Sequence, residues 1–136
     1  MSYDIGLVCS VGIGAERGGR EQNEDNYLVA REGRAAFLGS RDAEELEEAE
    51  GPGVLLAVCD GMGGHESGEV ASKAAVRALA KLYRAGRPGD PERALLRFVR
   101  RAHSELHTRA SKAGPVNLGT TLTSAWLLDR RAYWIH

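Results

Sequence analysis

One stretch of this chain joins a buried strand to an acid and a glycine-rich turn, and it constrains the fold most. The apolar residues 54–58 predict a strand. Asp60 follows, and three glycines lie within residues 61–64. Glycines let backbone amides and carbonyls approach a ligand closely, so a carboxylate beside them predicts a site for a hard cation or a phosphate.

Two helical patterns follow this turn. Apolar residues recur at helical spacing from Ser67 to Ala85, and Gly86 predicts the end of that helix. Asp90 is a predicted N-cap for a second helix, which has a proline at its first position and ends near residues 114–115.

Alternating patterns predict strands on both sides of the helices. Residues 3–13 and 27–30 precede the central strand, while residues 119–128 and 133–136, joined by a tight turn, follow the helices. Strands, then helices, then strands favour antiparallel sheets with helices packed outside, in the α+β class.

Residues 31–53 are predicted to be an exposed acidic loop insertion with at most a short helix. Six acids and one arginine occupy residues 41–50, and Leu46 and the alanines are the only apolar residues there. A segment of this composition offers little apolar surface to bury, so no chemistry is expected from it.

The length of 136 residues is typical of one domain, and the net charge of −1 conceals an asymmetry. Residues 73–112 hold eleven basic residues against three acids. Charge runs of this kind are in general surfaces exposed to water. The alternative, a basic surface that attracts acidic partners, stays open from the sequence. Aromatic residues are scarce and not interleaved with the basic ones, which argues against nucleic-acid binding.

The two cysteines, Cys9 and Cys59, lie in apolar runs and are expected to be small buried hydrophobes without a metal or disulfide role. No apolar run reaches membrane-spanning length and no signal peptide pattern is present, so a cytoplasmic location is expected. Residues 132–136 have the pattern of an interrupted strand, so the chain is expected to be a fragment of a longer protein.

Common phosphate and metal motifs do not match the glycine turn. The dinucleotide fingerprint lacks its last glycine, the phosphate loop lacks its lysine, and the zinc-protease motif lacks its second histidine. No Gly-x-Ser-x-Gly elbow is present either. Oxygen donors remain, namely Asp60, the carbonyl of Gly61 and the distant pair Glu24 and Asp25. Magnesium and manganese prefer such a set.

Three motifs occur in order along the chain. They are Arg20-x-x-x-Glu24-Asp25, Val58-Cys59-Asp60-Gly61-Met62-Gly63-Gly64-His65-x-x-Gly68-Glu69-x-Ala71-Ser72 and Gly119-Thr120-Thr121-Leu122. Together they resemble the metal-dependent serine/threonine protein phosphatases of type 2C, in their bacterial form. The resemblance implies a four-layer α-β-β-α sandwich of antiparallel sheets flanked by helices. Residues 1–136 would be its N-terminal half, within one catalytic domain.

The resemblance also implies a reaction, in which a water that bridges two magnesium or manganese ions attacks phosphoserine or phosphothreonine. A site with a third ion is the alternative that stays open. Arg20 and Asp60 would be the catalytic residues, with Arg20 clamping the substrate phosphate. Asp60 would bridge two ions and the Gly61 carbonyl would bind one of them. Glu24 and Asp25 would hold metal-bound waters or orient ligands.

Two departures from the family pattern bear on activity. Met62 stands where animal members carry a histidine as candidate general acid, and methionine cannot transfer a proton. His65 is therefore the candidate general acid, and a structural or surface role for it is weighed equally. The aspartates that would complete the metal site would lie beyond His136, so the chain by itself is expected to be weakly active or inactive.

Two alternatives to a phosphatase stay open from the sequence. One is a non-catalytic, phosphatase-like module that binds or regulates a partner, and the other is a nucleotide-binding domain, which the failed motifs disfavour. As a phosphatase, the protein would act on phosphoprotein substrates and oppose a serine/threonine kinase. No nucleic-acid partner and no membrane segment are expected.

Overall fold

The computed structural model describes residues 3–19, 22–39, 43–63, 67–113 and 118–136, which form one antiparallel sheet with two helices on one face. The strands are β1 (Asp25–Arg31), β2 (Arg34–Leu38), β3 (Glu44–Glu48), β4 (Val54–Met62), β5 (Gly119–Thr120), β6 (Thr123–Leu128) and β7 (Arg131–Ile135). The helices are α1 (Ser67–Arg84) and α2 (Pro91–Ala113), and a short 3-10 helix spans Ala15–Arg17.

The sheet has the order β3-β2-β1-β4-β6-β7, and β5 pairs separately with the end of β4. Every paired strand is antiparallel to its neighbour. The predicted α+β class is confirmed. One sheet and one helical layer form half of the expected sandwich, and the described residues contain no second sheet.

Helix α1 packs on β4 through a stripe of small residues. Ala71, Ala75 and Leu79 are buried on this face, and alanine lets the helix approach the sheet closely. The helix ends as predicted at Gly86, whose φ of 88° is left-handed and whose amide donates to the Tyr83 carbonyl at 3.2 Å. The predicted N-cap of α2 is confirmed, since Asp90 Oδ1 accepts from the Arg93 amide at 3.0 Å.

The core lies between these helices and the sheet. Its largest fully buried side chains include Trp126, Tyr83 and Phe37. The indole of Trp126 donates to the Pro52 carbonyl at 2.9 Å, and the Tyr83 hydroxyl donates to the Gly53 carbonyl at 3.1 Å. The polar tips of both rings are therefore satisfied inside the core, as burial requires.

The expectation of an exposed loop at residues 31–53 is wrong, because this segment contains β2 and β3. Ala35 and Phe37 are fully buried on the side that faces the helices. The acidic strand β3 pairs with β2 along its whole length, from Arg34 opposite Glu48 to Leu38 opposite Glu44. Pairing and ion pairs to α1 hold a strand that propensity alone does not predict.

The strand predicted at residues 3–13 is also wrong, since none of these residues belongs to a strand. Burial does alternate at its start, where Tyr3 and Ile5 are half-buried and the residues after each are exposed. Arg31 Nη1 donates to the Tyr3 carbonyl at 2.8 Å. A surface segment that is half-buried at alternate positions therefore produced the period of two without joining the sheet.

The remaining strands match their predicted positions, except that one predicted strand is two strands in the structure. The predicted strand 119–128 is split into β5 and β6, and each part pairs with a different portion of β4. The tight turn before β7 is confirmed, since Asp129 and Arg130 both have positive φ, at 46° and 66°, as in a type I′ turn. The predicted helix end at residues 114–115 lies outside the described residues.

The face of the sheet opposite the helices carries exposed apolar side chains. Val58 is 58% exposed, Leu46 is 63% exposed and Trp134 is 73% exposed. These side chains lie on strands that are not neighbours in the sheet, and single exposed apolar residues are ordinary on a protein surface. Neither α1 nor α2, the two helices of the described ranges, is long and apolar enough to cross a membrane.

Candidate active site

Two carboxylates predicted to act together lie opposite each other at the adjacent ends of β1 and β4. The strand register pairs Asp25 directly with Asp60, a position in which Cβ atoms are typically about 4.5–5.5 Å apart. Both residues are exposed, and both border a cleft of about 240 Å³. We call Asp25 and Asp60 the acid pair.

Gly61 is required by packing beside the acid pair. A Cβ at this position would lie 2.2 Å from the Gly68 carbonyl oxygen and 2.6 Å from that of Glu24. The Gly61 amide donates to the same Glu24 carbonyl at 3.1 Å. The residue after Asp60 is thus held between the start of α1 and the start of β1, which explains why no side chain fits there.

Glu24 borders the same cleft, but its side chain lies against α1. Its carboxyl carbon and Oε1 are both 3.0 Å from where a Cβ on Gly68 would be. Gly68 is in the first turn of α1, where the helix dipole favours a negative charge. The structure therefore brings Asp25 and Asp60 together and places Glu24 beside the helix start.

The backbone of Asp60 is clamped by the two threonines that the sequence pattern included without assigning them a role. The Asp60 amide donates to Thr121 Oγ1 at 3.0 Å, and the Asp60 carbonyl accepts from the Thr121 amide at 2.8 Å. Thr120 Oγ1 donates to the same carbonyl at 3.1 Å. Both sides of Asp60 are fixed by residues about 60 positions away, so no local pattern could have revealed this role.

Two buried asparagines, which the sequence interpretation left out, flank the start of β1: Asn23 holds the Asp25 backbone, and Asn26 ties β1 to β2. Asn23 Oδ1 accepts from the Asp25 amide at 3.0 Å, and its Nδ2 donates to Cys9 Sγ at 3.3 Å. Asn26 bonds the Leu38 backbone twice, donating to its carbonyl and accepting from its amide, both at 2.9 Å. An asparagine two residues before a strand acid is a local signal that sequence reasoning could have used.

Cys59, which precedes Asp60, has no nucleophilic role here. The side chain is 2% exposed, and burial raises the pKa of the Cys59 thiol to about 12. The thiolate is the reactive form. A thiol kept protonated in the core leaves oxygen chemistry, not sulfur chemistry, to the acid pair.

The acid pair fits a hard divalent cation by its chemistry. Magnesium is commonly held by one or two carboxylates while keeping several waters, and the register sets two carboxylates opposite each other at the edge of the cleft. Within the part of the chain that the structure describes, no three His, Cys, Asp or Glu side chains form a metal-holding group. The pair would thus supply two ligands and leave the others to water or further groups.

Two predicted site residues, Arg20 and His65, lie outside the described residues. Met62, which replaces the expected histidine, lies at the end of β4 opposite Gly119 and is 53% exposed. Its thioether stands next to the glycine turn and offers no proton to a leaving group.

Comparison with known proteins gives a family. Residues 38–136 match the family model described as Protein phosphatase 2C. Two curated relatives, the serine/threonine protein phosphatase PstP from two strains of Mycobacterium tuberculosis, are 37% identical over 83 residues, which cover 60% of this chain. The matched segment covers 16% of each relative, so the chain corresponds to a minor part of their length.

A solved structure has the same arrangement of elements. The crystal structure of the Mycobacterium tuberculosis serine/threonine phosphatase PstP matches this chain with a TM-score of 0.62 and 31% sequence identity. The match covers 86% of this chain and 41% of that structure. The sheet and helices described above are thus similar to the corresponding part of that phosphatase.

Proposed function

This chain belongs to the protein phosphatase 2C family, and on that premise we propose that it contributes to metal-dependent hydrolysis of phosphoserine and phosphothreonine in proteins. The substrates would be phosphoproteins made by a serine/threonine kinase, whose action the protein would oppose. The proposed ions are magnesium or manganese, which match the oxygen donors of the site.

The observation that carries this proposal is the register of Asp25 with Asp60. β1 and β4 place the two carboxylates at one edge of the cleft. Asn23 holds the backbone of Asp25, and the two threonines hold that of Asp60. Two carboxylates held opposite each other at the edge of a cleft are oxygen ligands of the kind that a hard divalent cation prefers.

Each residue has a distinct role in the proposed reaction. Asp60 and Asp25 would hold the ions, and Gly61 keeps the Asp60 backbone close to α1. Bound divalent ions supply charge neutralisation for the phosphate and lower the pKa of water. Arg20, with its planar set of donors, would bind and orient the phosphate oxygens.

Metal binding tests the first step on the 136-residue chain itself. We expect Mn²⁺ to bind weakly in a calorimetric titration and to raise the melting temperature, and we expect Asp60→Asn and Asp25→Asn to abolish both effects. Glu47→Gln removes a carboxylate on β3 and serves as the matched control, with binding unchanged. Equal binding by Asp60→Asn and the unmodified chain would exclude the acid pair as the metal site.

Turnover tests the second step, as phosphate release from a phosphothreonine peptide with Mn²⁺. The chain alone is expected to be weakly active or inactive, since its described residues form no complete ligand set. A longer form should release phosphate, and Asp60→Asn should reduce this by at least about 100-fold. A longer form that binds Mn²⁺ through the acid pair without turnover would favour the non-catalytic module instead.

A further inference from the structure

A groove with an apolar floor and basic walls runs between α1 and α2. The helices are antiparallel, since Ala85 lies near Ala94 at one end and Lys73 near Arg109 at the other. Two adjoining cavities of about 360 and 800 Å³ form the groove. Volumes of this size are typical of binding sites. We call it the helix groove.

The floor of the helix groove is apolar and open because the side chains that face it are alanines. Ala74 and Ala78 line it from α1, and Ala102 lines it from α2. Alanine methyl groups fill little of the space between the two helices, and the two cavities occupy it along the length of the groove. Larger apolar residues, Leu82, Phe98 and Leu106, border the same space.

The walls of the groove are strongly basic. Seven Lys and Arg residues line the two cavities, four in each with Lys81 in common, against Glu105 as the single acid. Three of the seven pair with acids of the molecule. The other four make no ion pair with any residue in the described ranges: Lys81, Arg97, Arg100 and Arg109.

Glu105, the single acid of the groove, neutralises only a small part of this positive charge. Arg101 Nε donates to its Oε1 at 2.8 Å. That hydrogen bond, with the nearby charges of Arg101, Arg109 and Lys81, holds the pKa of Glu105 below its usual range. One acid is thus shared among several cations, and the groove keeps a net positive charge.

From these features we infer that the helix groove binds an acidic, amphipathic segment of a partner protein. Apolar side chains of the segment would lie on the alanine floor, and its carboxylates would face the four cations that make no ion pair in the described ranges. The groove follows α1 from Val70 to Ala85, which is about 22 Å at 1.5 Å per residue. A helix of about four turns matches that length.

The chemistry of the groove favours a protein partner over nucleic acid. Stacking platforms for bases are exposed aromatic rings, and Phe98, the aromatic residue among the described lining residues, is buried. An aliphatic floor suits aliphatic side chains better than bases. This inference does not depend on the proposed phosphatase activity, since the groove is formed by the helices and not by the acid pair.

A designed peptide tests the inference. The probe is a fluorescein-labelled amphipathic helix of Leu, Ala and Glu of about 14 residues, or four turns, measured by anisotropy with the 136-residue chain. A peptide of the same composition in scrambled order removes the apolar face and keeps the charge. We expect the amphipathic peptide to bind at least about fivefold more tightly than the scrambled one, since only its apolar residues share one face.

Charge and shape variants then locate the site. The quadruple change Lys81→Gln, Arg97→Gln, Arg100→Gln and Arg109→Gln should weaken binding by at least about tenfold. The same loss of charge at four exposed positions outside the groove, Arg17→Gln, Arg34→Gln, Arg130→Gln and Arg131→Gln, should change it by less than about threefold. Ala102→Phe fills the floor without altering charge and should also weaken binding. Far-UV circular dichroism and melting temperature confirm that each variant is folded.

Several results would overturn the inference. No binding of the amphipathic peptide, equal binding of the scrambled peptide, or an equal loss in both charge variants would each exclude a specific groove. A single-stranded oligothymidine or a phosphatidylserine vesicle that binds more tightly than the peptide, through the same four residues, would assign the groove to nucleic acid or membrane instead.

Discussion

Two acidic regions of this sheet are treated in opposite ways by the fold. On β3, the acids that face the helices have cationic partners from α1, with Glu45 bonded to Arg77 at 3.1 Å and Glu47 to Arg84 at 2.8 Å. At the ends of β1 and β4, the acid pair is set in register, carboxylate opposite carboxylate, and its surroundings fix the backbone. The acids of β3 thus join the sheet to α1, whereas the acid pair lies at the edge of a cleft, where an external cation has access to both carboxylates.

The largest expected effect comes from removing the close approach beside the acid pair. Gly61→Ala places a methyl group against the Gly68 and Glu24 carbonyl oxygens, which are backbone atoms and cannot rotate away. We expect the free energy of unfolding to fall by about 2–3 kcal/mol, as for overpacking in a dense region. Urea denaturation measures it.

Gly89→Ala is the matched control for this change. No atom lies within 4 Å of a Cβ at Gly89, and its φ is not left-handed, so its free energy of unfolding should change by less than about 0.5 kcal/mol. A Gly61→Ala protein as stable as the control would show that the strand end is loose rather than fixed.

High pH is the next test, because one group with a raised pKa lies beside each region: Cys59 precedes Asp60 on β4, and Tyr27 bonds Glu44 of β3. Burial raises the pKa of Cys59 from 9.0 to about 12. Burial, followed by the hydrogen bond to Glu44 of β3, raises the pKa of Tyr27 above its usual value. Both groups are therefore neutral in the fold. The contribution of Cys59 is present below pH 9.0 and is lost as the pH rises toward about 12, whereas that of Tyr27 is present below pH 10.0 and is lost above it.

We expect the free energy of unfolding to be lower by about 2 kcal/mol at about pH 10.5 than at about pH 8.5 from Cys59 alone. Cys59→Ala should remove most of this loss. Tyr27→Phe should remove a smaller share that begins only above about pH 10. Urea denaturation at both pH values measures the three proteins, and an unchanged pH dependence in Cys59→Ala would contradict the assignment.

Removing one clamp on Asp60 should have a smaller effect. Thr121→Val deletes the oxygen that accepts from the Asp60 amide while keeping the shape of the side chain. We expect a loss of about 1 kcal/mol in the free energy of unfolding, with weaker Mn²⁺ binding. Thr123→Val, at an exposed site that bonds His136, is the control and should leave Mn²⁺ binding unchanged. Equal Mn²⁺ affinity in both variants would show that the clamp does not position Asp60.

The sequence predicts the parts of this molecule whose cause is local. The C-terminal end of α1 follows from Gly86 and the N-terminal end of α2 from Asp90, and the strand before Asp60 follows from its apolar run. β3 could not be predicted, because its glutamates favour no strand and are held there by β2 and by two arginines more than 30 residues away. The role of Thr121 is equally remote, although its motif was noticed.

The smallest expected effect is on the free energy of unfolding when one carboxylate of each acidic region is replaced by its amide, and the two changes should have opposite signs. Asp60→Asn removes one of two facing charges, so in a chelator it should raise the free energy of unfolding by about 0.5 kcal/mol. Glu47→Gln removes a charge that Arg84 neutralises, so it should lower that free energy by about 0.5 kcal/mol. Mn²⁺ should stabilise the Glu47→Gln protein as it does the unmodified chain and leave Asp60→Asn unchanged. Because the two substitutions remove the same charge, a loss of stability in both would mean that Asp60, like Glu47, already has its partner within the fold.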